Sequence, residues 1–266
     1  MEAPSGASNA SAYHAEMDGD TKIPLILFPT CVMEAMAPAV GEAVVRTLRD
    51  RGFAPSIPPD ATCCGQPAWN AGYPEEAATV ARTTLAALTD APSGPVCVPA
   101  GSCATMMRVY WPELFRRVGD EEARAAAVEI ADRIVEFTRL VADDRRQADR
   151  QGTVAYHHSC HMLRELHIHD EPVALLTDAG YAVADWDDDD RCCGFGGLFS
   201  VKEPEISVAM ADEKIDGLPL DGIEALVGSD LSCLLQLEGR MRRRGIDLPV
   251  RHIAELLDPS GPTDVR

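Results

Sequence analysis

The tripeptide Cys63-Cys64-Gly65 recurs 129 positions later as Cys192-Cys193-Gly194, and the cysteines around each copy recur with it. One cysteine stands 32 residues before each doublet, and another follows it by 39 residues in the first copy and 40 in the second. The two sets are Cys31, Cys63, Cys64 and Cys103, and Cys160, Cys192, Cys193 and Cys233. Eight of the nine cysteines thus form two copies of one spacing, which predicts a chain built by internal duplication.

Each copy supplies four thiols, the number that ligates one 4Fe-4S cluster. We therefore predict two 4Fe-4S clusters, one per lobe, with these eight cysteines as metal ligands. Neighbouring side chains diverge, so a doublet suits a cluster with several iron atoms better than a single tetrahedral ion. Zinc sites usually contain cysteine pairs separated by two to four residues, which this sequence lacks. Zinc in one lobe is the alternative. Thiol–disulfide chemistry, inert buried thiols and structural disulfides explain the duplicated spacing less well.

A glycine follows each doublet, and we predict that it takes part in cofactor binding. Gly65 and Gly194 have no Cβ, so their backbone can approach inorganic sulfide closely and offer it N–H groups. Cys97 has no counterpart in the second copy and is predicted to be a core thiol. The sequence shows no recognisable set of catalytic side chains, so no catalytic residue is predicted.

Composition and charge limit the function classes. The 266 residues carry a formal net charge of −19, which argues against nucleic acid and anionic lipid as partners, because both are bound through clustered Lys and Arg. Residues 1–20 lack the apolar region of a signal peptide, and no apolar run reaches the length of a membrane helix. We therefore expect a cytoplasmic protein without membrane insertion. In that compartment, metal or redox chemistry explains nine cysteines better than disulfides do.

The order of apolar and turn-forming segments predicts the fold class: α/β, with two similar Rossmann-like lobes that contain parallel sheets and are related by internal duplication. Short strands are predicted before each cysteine region, and helices are predicted over residues 33–51, 73–89, 161–179 and 204–216. A further long helix is predicted from Ala127, Ile130, Ile134, Phe137 and Val141, which recur at three/four spacing. The predicted divisions are a disordered tail at 1–20, lobes at 21–150 and 151–258, and a tail at 259–266.

Long strings around both doublets, together with Gly101-Ser102-Cys103 and residues 158–162, resemble the cysteine-rich CCG-domain iron–sulfur family. That family includes the cysteine-rich subunit of heterodisulfide reductase and the iron–sulfur subunits of glycolate oxidase and anaerobic glycerol-3-phosphate dehydrogenase. The resemblance runs from about residue 23 to 257 and is strongest to the lactate-utilisation branch. It implies an iron–sulfur electron-transfer subunit of a cytosolic complex that oxidises L-lactate to pyruvate, with the other subunits of that complex as partners. The resemblance leaves open a disulfide reductase subunit, or a subunit of a glycolate or glycerol-3-phosphate oxidoreductase.

The chain departs from the heterodisulfide reductase pattern at the end of each repeat. That pattern has a fifth cysteine where this chain has Ala100 in lobe one and Asp230 in lobe two, so cleavage of a disulfide at a five-cysteine cluster is not expected. Asp230 is interpreted as an oxygen ligand, a neighbour of the ligands or a helix-capping group. His161, beside Cys160, is predicted to donate a hydrogen bond to cluster sulfur.

Overall fold

A computed structural model of the chain describes residues 22–143, 146–187 and 189–261. These residues form two four-stranded parallel sheets with the same strand order, β2-β1-β3-β4 in lobe one and β6-β5-β7-β8 in lobe two. The repeated topology confirms the predicted α/β class with two similar lobes. The tail predicted at 1–20 and the last five residues of the chain lie outside the described residues.

Lobe one contains four strands, each followed by at least one helix. Its strands are β1 (Ile23–Leu27), β2 (Phe53–Ser56), β3 (Val96–Val98) and β4 (Ile134–Glu136). Its helices are α1 (Cys31–Met36), α2 (Pro38–Asp50), α3 (Gln66–Asn70), α4 (Pro74–Asp90), α5 (Gly101–Thr105), α6 (Trp111–Arg117), α7 (Glu121–Ala131) and α8 (Phe137–Val141). A π-helical turn over Met106–Tyr110 joins α5 to α6.

Lobe two repeats this plan. Its strands are β5 (Gly152–His157), β6 (Tyr181–Val183), β7 (Ala225–Gly228) and β8 (Val250–His252). Its helices are α9 (Cys160–Arg164), α10 (Asp170–Asp178), α11 (Phe199–Lys202), α12 (Pro204–Asp216), α13 (Leu231–Arg243) and α14 (Ile253–Leu257). The central strands β3 and β7 are buried along their whole length. This burial is expected of a parallel sheet that is covered on both faces.

The predicted long helix through Ala127 and Val141 is wrong. Helix α7 ends at Ala131, residues 134–136 form the edge strand β4, and α8 starts at Phe137. The guanidinium of Arg108 donates to the carbonyls of Ala131 and Ile134, both at 2.9 Å. A tertiary contact therefore satisfies the carbonyls at the helix end, and the strand pairs with β3.

Two other predicted helices are interrupted. The segment 33–51 breaks at Ala37, whose φ of −149° is not helical, and Pro38 starts α2 as its first residue. Proline disfavours a helical residue before it, which accounts for the break. The segment 161–179 breaks between α9 and α10, where His167 has a φ of 52°. The helix 204–216 lies where it was predicted.

The two lobes pack reciprocally. Helix α8, at the end of lobe one, contacts α10 of lobe two, and α14, at the end of lobe two, contacts α2 of lobe one. Each contact carries an ion pair at 2.7 Å, Arg139 with Glu171 and Arg46 with Asp258. One hydrophobic core contains buried side chains of both sheets, so the lobes share a core. In the described part of the chain, no helix is both long and apolar enough to span a membrane.

Glu136 is the N-cap of α8, and its burial makes a contribution to stability that depends on pH. Its Oε2 accepts the N–H groups of Thr138 and Arg139, while Oε1 has no partner among the described residues. Complete burial raises the pKa of Glu136 to about 7. Between about pH 4.5 and 7 the unfolded chain loses this proton and the folded chain keeps it. The contribution of Glu136 to stability therefore falls as pH rises through that window and is constant above it.

We expect Glu136→Gln to remove this loss. The thermal midpoint of the variant should rise relative to that of the wild-type chain between pH 5 and pH 8. For a pKa shift of this size, the corresponding change in the free energy of unfolding is up to about 3 kcal/mol. Differential scanning calorimetry at one scan rate measures the difference in midpoint, and the titration of all other groups cancels in the comparison. Parallel pH profiles would contradict the assignment of a raised pKa to this carboxyl.

Candidate metal centres

Two cysteines of each set lie just after neighbouring central strands. Cys31 starts α1 after β1, and Cys103 lies in the first turn of α5 after β3. Cys160 and Cys233 hold the same places after β5 and β7. The carboxyl ends of adjacent parallel strands meet at one edge of a sheet, where ligands of open α/β sheets bind. The sheet topology therefore brings these pairs together in each lobe.

The doublets reach the same edge from longer loops. Cys63 and Cys64 follow β2 and precede α3, and Cys192 and Cys193 follow β6 and precede α11. Thr84 anchors the first loop, since its hydroxyl donates to the Cys63 carbonyl at 2.9 Å and accepts the Thr62 N–H at 3.0 Å.

The structure brings the four thiols of lobe one together. The Sγ atoms of Cys31 and Cys63 are 3.8 Å apart, and those of Cys64 and Cys103 are 3.3 Å apart. Cys64 and Cys103 are buried, while Cys31 and Cys63 are partly exposed. One side of the group therefore faces the protein interior and the other faces its surface.

Lobe two shows the same arrangement. The Cys192 thiol has hydrogen-bond contacts with Cys160 and Cys193, and Cys193 contacts Cys233. Burial follows the pattern of lobe one, because Cys193 and Cys233 are buried and the other two are partly exposed. All eight predicted ligands thus lie in two matched groups of four, whereas Cys97 lies in the core strand β3, away from both groups.

The first cysteine of each doublet is the anionic one. Hydrogen bonds from the Cys31 and Cys64 thiols lower the pKa of Cys63 to about 3. Those from Cys160 and Cys193 lower the pKa of Cys192 to about 2. Thiolate is the form that binds metal, so the lowered pKa favours the ligand form of one cysteine in each group.

The glycines after the doublets adopt a backbone conformation that suits only glycine. Gly65 and Gly194 have φ values of 85° and 81°, in the left-handed region. A Cβ at Gly65 would lie 2.7 Å from the Ala77 carbonyl oxygen, and one at Gly194 would lie 2.5 Å from that of Ser207. Each glycine N–H donates to the first thiol of its own doublet at 3.5 Å. The observed acceptor is cysteine sulfur, and contact with inorganic sulfide stays a prediction.

The donor set fits an iron–sulfur group. Four thiols converge in each lobe, at least one is anionic, and a backbone N–H already points at sulfur. Hydrogen bonds of this kind to cluster and cysteine sulfur are common in such sites. The residues at both sites therefore suit the predicted group.

Polar side chains connect the two groups across the lobe boundary. Asp230 caps the neighbouring lobe, because its carboxylate accepts the Ser102 N–H at 2.8 Å and the Ser232 hydroxyl. Gln66 of lobe one contacts the His161 Nε2 of lobe two at 3.2 Å. A cavity of about 270 Å³ lies between these groups and the thiols of lobe two. Asp230 thus caps α5 of lobe one and makes no capping hydrogen bond to its own helix α13, so the helix-capping interpretation holds only across the lobe boundary.

His161 does not make the contact that the sequence predicted. Its Nε2 contacts Gln66 and its Nδ1 contacts the Glu165 carboxylate at 3.1 Å. Both ring nitrogens therefore have protein partners and neither is available to sulfur. Among the described residues, His157, four residues earlier, approaches the thiols, since its ring nitrogen and the sulfurs of Cys193 and Cys233 lie within 4.8 Å of one another.

Sequence reasoning missed two buried groups beside the thiols of lobe two, His157 and Lys214. Both side chains are completely buried. The only signal in the sequence was positional: the 129-residue offset of the repeat aligns His157 with Phe28 and Lys214 with Leu85, both uncharged, and the structure pairs Lys214 with Thr84.

Comparison with known proteins places these features in a family. The CCG cysteine-rich domain matches the chain twice, over residues 25–108 and 154–238. Lactate utilization protein A of an Exiguobacterium species is 39% identical over 87% of this chain and 96% of its own length. Lactate utilization protein A 1 of Bacillus anthracis is 38% identical over the same shares.

A solved structure shares the fold at low sequence identity. A hypothetical protein from Helicobacter pylori matches with a TM-score of 0.59 at 10% identity. The match covers 93% of this chain, which spans about half of the other protein. The two copies of the domain coincide with the two groups of four thiols, and the curated relatives match along nearly their whole length. The chain therefore belongs to the CCG cysteine-rich domain family.

Proposed function

We propose that the chain holds one 4Fe-4S cluster in each lobe and carries electrons as a non-catalytic subunit of a cytosolic complex that oxidises L-lactate to pyruvate. The ligands in this proposal are the eight converging cysteines, with Gly65 and Gly194 as amide donors. The observation that carries it is the matched convergence of four thiols at the same sheet edge in both lobes. The similarity to proteins named for lactate utilization supports the choice of substrate.

The protein side of each site supplies binding and electrostatics. Cys63 and Cys192 are thiolates at neutral pH, and the buried thiols behind them exclude water from one side of the site. The glycine amides hold these thiolates in place. An iron–sulfur cluster, when bound, supplies one-electron redox chemistry at a potential that its surroundings set.

The two-electron step belongs to another centre of the complex. Hydride-type oxidation is the chemistry of flavin and nicotinamide cofactors. The glycine-rich fingerprint of nicotinamide and flavin dinucleotide binding, Gly-x-Gly-x-x-Gly after a strand, does not occur in this sequence. The role that fits the chain is to pass on single electrons from that centre.

Two alternatives differ in specific residues. Disulfide reduction at a five-thiol cluster is disfavoured, because Ala100 and Asp230 stand where a fifth cysteine would be and the Asp230 carboxylate is engaged by Ser102. Zinc in lobe two is favoured by one observation, the approach of His157 to Cys193 and Cys233. Histidine and cysteine together are common zinc ligands.

Growth of the source organism on L-lactate tests the function. A strain that lacks this gene should fail to grow on L-lactate as sole carbon source and should grow normally on pyruvate. The wild-type gene and the Cys97→Ser variant should both restore growth, whereas the Cys193→Ser variant should not. Normal growth of the deleted strain on L-lactate, or equal failure on both carbon sources, would refute the proposed role.

A further inference from the structure

The two lobes share one arrangement of thiols but differ in the groups that lie behind them. We propose that Lys214 and His157 give the site of lobe two a higher reduction potential than the site of lobe one. The first electron that the chain accepts then resides in lobe two. This inference rests on the proposed function, because it requires an iron–sulfur group at both sites.

The internal duplication identifies the counterpart of each residue. His157 ends its strand three residues before Cys160, and Phe28 lies three residues before Cys31. In lobe one the backbone of Ala77 lies against Gly65, and in lobe two the backbone of Ser207 lies against Gly194. Thr84 lies seven residues after Ala77 in α4, and Lys214 lies seven residues after Ser207 in α12, so these two residues are counterparts. The side chains of both pairs of counterparts are buried: Phe28 and His157, and Thr84 and Lys214. Lobe one therefore has an apolar ring and a hydroxyl where lobe two has an imidazole and an ammonium.

His157 places a buried ring nitrogen beside the thiols. Neither of its ring nitrogens has a hydrogen bond of good geometry among the described residues, although the side chain is completely buried and the Asp189 backbone lies near the ring. The sulfurs of Cys193 and Cys233 lie within 4.8 Å of one ring nitrogen and of each other. An imidazole carries at least one N–H in either protonation state. A hydrogen bond to cluster or cysteine sulfur raises a cluster potential.

Lys214 supplies a buried positive charge. Its Nζ donates to the Asp189 carbonyl at 2.8 Å and lies 4.5 Å from the centre of the Trp186 ring. Burial lowers the pKa of Lys214 to about 8, so most of the ammonium is charged at pH 7. Cys193 and Cys233 would be thiolates as ligands of a cluster, and a buried ammonium near them attracts their negative charge. A cation at this place stabilises an added electron.

The carboxylates near the site of lobe two, Asp189, Asp190 and Asp230, oppose this effect, but each is either exposed to solvent or held by hydrogen-bond donors. Asp230 is bonded to Ser102, which precedes Cys103, and to Ser232, which precedes Cys233. One donor from each lobe thus offsets part of its negative charge. The side chain of Asp189 is 40% exposed, so solvent screens its charge more than that of fully buried Lys214. Arg164, exposed at the rim of lobe two, adds a further cation where lobe one has Ala35.

The redox step involves one electron and no atoms. A one-electron donor is oxidised, the site of lobe two is reduced, and an electron that enters at lobe one moves to lobe two because the potential there is higher. The direction of transfer through the chain follows from the two side chains that distinguish the lobes.

Chains with one working site measure the two potentials separately. Cys64→Ser should leave only the site of lobe two, and Cys193→Ser only that of lobe one. Potentiometric titration of the anaerobic proteins with dithionite at pH 7, followed by electron paramagnetic resonance, gives each midpoint. We expect the Cys64→Ser chain to be reduced at the higher potential. When the wild-type chain has accepted one electron, its electron paramagnetic resonance spectrum should match that of the reduced Cys64→Ser chain.

Exchange of single residues between the lobes tests the cause. In the Cys64→Ser background, Lys214→Thr and His157→Phe introduce the residues that lobe one has. Each should lower the potential by at least about 59 mV, which is a tenfold change in the one-electron equilibrium constant. Lys202→Thr removes an exposed lysine of the same lobe and is the matched control, with no change expected.

The possible results separate this inference from the proposed function. Equal potentials in the two single-site chains, or a higher potential in lobe one, would overturn the inference while iron binding and electron transfer stand. Zinc in lobe two, lost on His157→Phe, would also overturn it. A chain that binds no iron at either site refutes the proposed function itself. If the Lys214→Thr variant does not retain iron, the comparison of the Cys64→Ser and Cys193→Ser chains still shows which lobe has the higher reduction potential.

Discussion

Serine in place of Cys64 or Cys193 should halve the iron that the chain holds. The wild-type protein, reconstituted anaerobically, should be brown and contain about eight irons per chain if four thiolates bind a cubane at each of two sites. Each variant loses one buried ligand from one group of four and should retain about four irons. Metal analysis for iron, sulfide and zinc, with the visible spectrum, measures both values.

Cys97→Ser is the matched control, because it changes a cysteine of equal burial that lies outside both groups. Cys97 is completely buried in β3 and pairs with Leu27 and Val135 of the neighbouring strands. Its side chain packs into the core shared by the lobes, so the variant should keep eight irons and lose only some stability. Equal iron loss in all three variants, or a colourless protein with stoichiometric zinc, would contradict the assignment of ligands.

Loss of a cluster should also destabilise the chain. Binding to the folded state alone adds its free energy to folding. The Cys64→Ser and Cys193→Ser chains should therefore unfold at lower temperature than the Cys97→Ser chain. Thermal unfolding of the samples used for metal analysis measures this order.

The cysteine groups were predictable because a thiol spacing survives duplication. Cys31 and Cys160 follow apolar strands, and parallel strands that alternate with helices place their carboxyl ends together. Spacing and periodicity alone therefore predict the α/β lobes and the edge at which the thiols meet. The same local signals place helix 204–216, which starts with Pro204 at its first position.

Elements decided by tertiary contacts were not predictable in this way. Residues 134–136 fit a helical spacing equally well, and they form a strand because they pair with β3 and because Arg108 satisfies the carbonyls of Ala131 and Ile134. Short apolar segments are ambiguous between helix and strand.

The surroundings of the thiols were equally hidden from the sequence. His161, next to Cys160, is held by Gln66 from the other lobe, which no local pattern shows. Lys214 is buried beside the lobe-two thiols from a helix that starts eleven residues after Cys193. Only the comparison with Thr84 in the equivalent helix reveals that this charge distinguishes the lobes.

Alanine in place of Gly65 or Gly194 should abolish metal binding in the lobe concerned and leave the other lobe loaded. Both positions have φ values above +80°, where a side chain costs roughly 1–2 kcal/mol. A Cβ would also lie 2.7 Å and 2.5 Å from backbone carbonyl oxygens, closer than real Cβ contacts allow. The backbone must shift, and the amide that donates to Cys63 or Cys192 shifts with it.

Two other glycines separate the strain of the backbone from the clash at the site. Gly72 and Gly245 have φ values of 82° and 74°, and a Cβ on either would meet nothing within 4 Å. Alanine there should carry the conformational cost alone, about 1–2 kcal/mol, and keep the full iron content. Gly65→Ala and Gly194→Ala should lose about 1–3 kcal/mol more through overpacking, together with half of the iron. Thermal unfolding and metal analysis of the four variants measure both effects. If all four keep eight irons, the close approach of the glycine backbone does not support the site.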